Sequence, residues 1–113
     1  MFISAEDQAR FGVLTCRGGR WGDRQVISAN WNTLSRTPTQ AQQDYGFMNF
    51  YLNTGQRRMR SAPENAFVHL GNGTNAVVCI PDRDLVIVLR WFNQGALNGI
   101  VEQVLGALPP AQH

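Results

Sequence analysis

The chain contains no lysine: all ten of its basic residues are arginine. Chemistry that uses lysine as a base, a Schiff-base former or a P-loop phosphate ligand is therefore absent from these 113 residues. Cysteine is almost absent too. Cys16 and Cys79 form no C-x-x-C pair and only two histidines accompany them, so a zinc site of the finger type is excluded. The two thiols read as free and buried, with a single disulfide as the alternative. No apolar run approaches the ~20 residues of a membrane span. The N-terminus has no basic patch before an apolar core, so no signal peptide is expected. Net charge is only +2, too little to indicate nucleic acid as a partner. Repeats and low-complexity tracts are also missing.

What is present is enough apolar material to fold. The chain is 43% hydrophobic and 16% charged, which fits one domain spanning residues 1–113. Ser4 stands three residues before Asp7, a capping-box-like start for a helix that carries Phe11 and Leu14 and stops at Gly18-Gly19. Trp21-Gly22 reads as a turn. Ser28 is a second N-cap, ahead of a short helix with Trp31 and Leu34 on one face. Residues 37–44, with Pro38, read as a loop and Tyr45 to Leu52 as one aromatic-rich strand. A second loop, residues 53–64, holds Arg57, Arg58 and Arg60. These arginines read as a solvated surface, because no aromatics are interleaved with them as single-strand binding requires.

Strands follow at Ala66 to Leu70, Asn75 to Ile80 and Leu85 to Trp91, joined by Gly71-Asn72-Gly73 and by Pro81-Asp82-Arg83-Asp84. The last strand is so apolar that burial of both faces is expected. Leu97, Ile100, Val101, Val104, Leu105 and Leu108 recur every three or four residues, as in an amphipathic helix that Pro109-Pro110 ends. Trp21, Trp31 and Trp91 read as core or half-buried anchors. The expected class is α+β: an antiparallel sheet of three to four strands packed against N- and C-terminal helices.

Read in order, several segments resemble one family. Phe67-Val68-His69-Leu70-Gly71-Asn72-Gly73-Thr74-Asn75, a strand, and then Ile80-Pro81-Asp82-Arg83-Asp84-Leu85-Val86-Ile87-Val88 resemble the end of the serine β-lactamase and penicillin-binding-protein family, in its class C, DD-peptidase and esterase branch. Upstream, Ser4 to Gly12 is similar to that family's S-x-x-D-x-A-R-F-G helix. Trp21-Gly22 with Val26-Ile27-Ser28 is similar to the connection after it, and Tyr45-Gly46-Phe47 to its Y-G-x-G-W strand.

The resemblance implies a partial β-lactamase/transpeptidase-like fold and acyl-enzyme hydrolysis of β-lactam, peptide or ester bonds in a complete enzyme, with no cofactor. It assigns His69-Leu70-Gly71 to the triplet on the strand edging the active site. There His69 would face the substrate, Gly71 would permit close approach, and the Asn72 N–H would be one oxyanion-hole donor. Without the resemblance, His69 reads as an ordinary strand histidine and the glycines as hairpin residues. Leu70 departs from the usual threonine, which favours an esterase-like substrate over a penicillin. The family's Ser-x-x-Lys nucleophile motif is impossible here without lysine. Tyr51-Leu52-Asn53 fits the letters of the second motif, Tyr-x-Asn, but stands in the wrong place and reads as chance.

Two functional expectations result. In the first, the chain is the C-terminal segment of such a hydrolase, inactive alone, with Met1 an internal start. In the second, it is a small non-catalytic binding or assembly module. The family places further strands beside the one at Leu85–Trp91, so that edge is expected to be bare and to pair with a second copy, giving a homodimer. The compartment, cytoplasmic or periplasmic, stays open.

Overall fold

Two serine hydroxyls start the first two helices. Ser4 Oγ accepts the Asp7 N–H at 3.1 Å and opens α1 (Ala5–Cys16); Ser28 Oγ accepts the Trp31 N–H at 3.1 Å and opens α2 (Ala29–Ser35). These contacts come from a computed structural model, which describes residues 4–38, 43, 45–46, 50–71 and 75–109. After α1 the chain reverses through Gly18 and Gly19, both at positive φ. Only glycine fits at 19, since a Cβ there would stand 2.3 Å from the Ile27 carbonyl oxygen. Two short strands, β1 (Arg20–Trp21) and β2 (Arg24–Gln25), then form a small antiparallel ribbon. Its strands are too short to show alternation in the sequence.

The main sheet holds β3 (Phe50–Leu52), β4 (Phe67–Gly71), β5 (Asn75–Ile80) and β6 (Leu85–Leu89). Its order is β3-β4-β5-β6 with every neighbour antiparallel, the expected meander. The chain ends its described part with α3 (Leu97–Ala107). Among the described residues the architecture is α+β: three α-helices, a four-stranded antiparallel sheet and the ribbon. Among the described residues no helix is long and apolar enough to cross a membrane.

Strand alternation splits the core into two layers. Val68, Leu70, Ala76, Val78 and Ile80 meet Leu97, Val101 and Leu105 of α3. On the other layer Phe67, Val77 and Cys79 meet Cys16 of α1, with Val86 beside them. α1 sits very close to the sheet, because Gly12 has no side chain: a Cβ there would stand 2.6 Å from both Val77 Cγ1 and Val86 Cγ1.

The loop after β3 is organised by one side chain. Asn53 is fully buried; its Nδ2 donates to the carbonyl oxygens of Met59, Ala62 and Pro63, and its Oδ1 accepts the Met59 N–H at 2.7 Å. The turn between β5 and β6 is a 3-10 turn, Pro81–Arg83, followed by Asp84 in the left-handed region at φ 48°. Asp84 takes two hydrogen bonds from Arg17, at 3.0 and 2.8 Å, which join the end of α1 to this turn.

Several expectations need correction. Tyr45 to Leu52 is not one strand: Tyr45 bridges antiparallel to Tyr51, and among the described residues of this run the strand is Phe50–Leu52. Residues 47–49 lie outside the described residues. The last strand stops at Leu89 rather than Trp91, where φ is 58° and the extended run has ended. All five residues of β6 are half-buried rather than buried, because each helix covers only part of an outer strand. Of the three tryptophans only Trp91, 82% exposed, departs from the expected core or half-buried place, while Trp21 and Trp31 are about half exposed. The two-residue ribbon and short α2 offer no opposite layer to bury them.

Asn53→Ala is expected to lower the unfolding free energy by about 2–4 kcal/mol, measured by urea denaturation, because it strands buried backbone groups around residue 59. Arg17→Ala should raise the Asp84 pKa toward the ordinary carboxylate range, read by NMR titration. The Arg17 guanidinium holds that carboxyl below its usual value. The pair's stabilisation is thus present above the unfolded-state carboxylate pKa and lost as pH falls through the folded one, a loss the variant should not show.

Candidate functional site

The triplet singled out in the sequence lies on β4, and alternation sends its two side chains to opposite layers. Leu70 packs in the core under α3. His69, opposite Val77 on β5 and Phe50 on β3, lies on the α1 side and is only 4% exposed. Its ring sits between Phe11, at a centroid distance of 5.0 Å, and Phe67, at 5.4 Å. Its Nε2 is 3.0 Å from Thr15 Oγ1.

Thr15 is the hub of this buried group. Its hydroxyl is 3.2 Å from the Gly12 carbonyl oxygen, its acceptor one turn back, and 3.7 Å from Cys79 Sγ. The hydroxyl has one proton. Donated to the Gly12 carbonyl, it leaves the oxygen lone pairs to accept from His69 Nε2–H. Cys79 in turn donates to the Gly12 carbonyl at 3.6 Å. A helix, a central strand and the next strand are therefore joined through a threonine, a histidine and a thiol with little access to water.

β4 is not the outermost strand. β3 pairs with it at Phe67, Val68 and His69, and Leu70 and Gly71 extend past that register. Gly71 is the last residue of β4 and pairs with Asn75. Asn72, the expected oxyanion donor, lies outside the described residues, as do Gly73 and Thr74. Three serines have local duties: Ser4 and Ser28 cap helices, and Ser35 Oγ donates to the Trp31 carbonyl at 2.9 Å. Asn53, the last letter of the Tyr-x-Asn match, is consumed by its own loop. The loop arginines differ among themselves: Arg57 and Arg60 are exposed, while Arg58 lies over the Tyr51 ring, 5.1 Å from its centroid.

Beside this group a cavity of about 550 Å³ opens between α2 and the loop before β4, lined by Thr33, Arg36, Leu52, Thr54, Glu64 and Asn65 among others. Arg36 lies over the Phe67 ring, 4.5 Å from its centroid, and donates to the Asn65 carbonyl at 3.4 Å. Among the described residues no carboxylate pairs with it. Burial lowers its proton affinity, while the Cys16 and Cys79 thiols act in the opposite sense. Among the described residues no three His, Cys, Asp or Glu side chains gather as a metal site would need.

Next to the buried group, α1 and the ribbon show apolar surface to solvent. Phe11, Leu14, Trp21 and Val26 line one shallow depression with Arg10, and Trp31 and Leu34 lie exposed on α2. Compared with known proteins, the chain matches no family model, no curated protein and no solved structure.

Sequence reasoning found His69 and missed its partner. The signal was available: Gly12, Thr15 and Cys16 form the buried i, i+3, i+4 stripe of α1. Thr15→Val keeps the shape and removes the hydroxyl, so it should cost about 1–3 kcal/mol of stability in guanidinium unfolding, because His69 Nε2 then faces an apolar group in the core.

Proposed function

We propose that the chain is the C-terminal segment of a serine hydrolase of the β-lactamase-like kind, forming one wall of an active site whose nucleophile lies outside it. The observation that carries this reading is the apolar surface on α1, the ribbon and α2, where Phe11, Trp21, Val26, Trp31 and Leu34 are each 40–58% exposed. Apolar surface on this scale marks a face that another part of a protein covers. Part of it lies beside His69, whose ring is 5.0 Å from that of Phe11. The order of motifs along the chain supports the same assignment.

In this reading β4 meets the substrate with backbone. His69 is engaged with Thr15 and holds α1 against β4, and the Gly71–Asn72 end carries the oxyanion donor. Leu70 lies in the opposite layer and offers no hydroxyl to a substrate carboxylate, which suits an esterase-like substrate.

Alone, the chain should neither be acylated by a fluorescent penicillin nor turn over a chromogenic cephalosporin or a short p-nitrophenyl ester. Stoichiometric labelling of Ser4, Ser28, Ser35 or Ser61 would overturn the proposal. The deciding observation is the coding DNA upstream of Met1. An in-frame Ser-x-x-Lys followed by Tyr-x-Asn supports the reading, and an in-frame stop codon directly upstream removes it.

A second reading rests on the outer edge of β6, beside which no further strand lies among the described residues. As a free-standing module, the chain would pair this edge with a second copy and form a homodimer. Light scattering at micromolar concentration should then give twice the 12.6 kDa chain mass, and a monomer mass rejects this version.

A further inference from the structure

The only two cysteines of the chain, far apart in sequence, meet in the layer between α1 and the sheet. Cys16 Sγ is 3.7 Å from the Leu85 carbonyl oxygen, and Cys79 Sγ is 3.6 Å from the Gly12 carbonyl oxygen. Each thiol thus reaches into the other's element: Gly12 is one helical turn before Cys16, and Leu85 pairs with Ile80, the neighbour of Cys79. Both side chains belong to one small buried cluster with Leu52, Phe67 and Val77. Their access to solvent differs: Cys16 is 6% exposed and Cys79 is fully buried.

We infer that Cys16 and Cys79 form a reactive dithiol that a peroxide converts into an intramolecular disulfide, fastening α1 to β5. The surroundings divide the labour between the sulfurs. The neighbouring Cys79 thiol lowers the Cys16 pKa, and the Arg36 guanidinium adds to this. Burial and the charge of Asp84 oppose it, and Asp84 is itself engaged by Arg17. The Cys79 thiol is pushed up by the neighbouring Cys16 thiol and by burial, so it keeps its proton. Cys16, the sulfur a peroxide can reach, is therefore the attacking thiol and the fully buried Cys79 the resolving one, the usual arrangement of a redox-sensitive pair.

The reaction balances with one peroxide. The Cys16 thiolate attacks a peroxide oxygen, the O–O bond breaks and hydroxide leaves, giving a sulfenic acid. The Cys79 sulfur then attacks the Cys16 sulfur, the S–S bond forms and the S–O bond breaks. The departing hydroxide takes the Cys79 proton and leaves as water. Two thiols are oxidised and one peroxide is reduced to water. The group does not depend on the hydrolase reading, because both sulfurs belong to this chain.

The test is intact-mass analysis of the folded chain after hydrogen peroxide. The expected result is a loss of about 2 Da, for two hydrogens. A single peptide pair linking residues 16 and 79 should appear after digestion, at a yield independent of protein concentration and reversed by dithiothreitol. The cross-linked form should melt at least about 5 °C higher, since the link constrains a long loop of the unfolded chain. Cys79→Ser should stop instead at an oxygen adduct on Cys16. Oxygen adducts in the unaltered chain without a cross-link, a disulfide-linked dimer, no change in mass, or a cross-linked form that melts no higher would each overturn the inference.

Discussion

The missing side chain at Gly12 sets the geometry of one whole layer. With hydrogen alone at that position, the α1 backbone settles onto Val77 and Val86 at a distance a Cβ would not allow. Everything chemically interesting on that face follows from the approach. Thr15, one turn along, comes within hydrogen-bond reach of His69. The carbonyl of Gly12 itself comes within reach of the Cys79 thiol, and Cys16 reaches the β6 backbone. A helix held a few ångströms higher would leave the same residues as separate polar groups in an apolar layer, each without compensation for its lost water.

The fold buries polar groups on two different terms. Asn53 is a local solution: one amide satisfies four backbone groups of its own loop, so an irregular segment keeps its hydrogen bonds without a sheet or helix. Thr15 and His69 are a long-range solution, joining elements that are distant in the chain. The two layers of the core divide accordingly. The α3 side is wholly aliphatic apart from Met59 and a few aromatics, while the α1 side mixes thiols, a hydroxyl, an imidazole and the nearby Arg36. Among the described residues the thiols and the imidazole belong to the second layer.

Regular elements were legible to the extent that their signals were local. Ser4 and Ser28 were readable as caps because capping depends on residues three positions apart. α3 was readable from its periodicity over eleven residues, and β5 as an apolar run bounded by turn residues on both sides. The aromatic segment before Asn53 misled, since β propensity alone does not reveal that Tyr45 bridges to Tyr51. Trp91 misled for a different reason. Hydrophobicity describes what a side chain avoids, and says nothing of whether the rest of the fold can supply a cover. At the site, His69 was conspicuous by type, but its burial followed from which face of β4 meets α1. The closeness of Cys16 to Cys79 depends on docking a helix across a register that no spacing in the chain encodes.

The same distribution of near and distant contacts orders the folding reaction. The meander from β4 to β6 closes through short connections, and the Asn53 loop closes within ten positions, so both lose little chain entropy when they form. Near it in sequence α1 packs mainly on β1; its main contacts are with β5 and β6. It is therefore the element whose docking costs the most chain entropy, and it joins a sheet already assembled. Run backwards, the first opening of the folded chain is the lifting of α1, a partial unfolding that uncovers the imidazole and both sulfurs together while the strand ladder and its amide protons stay protected.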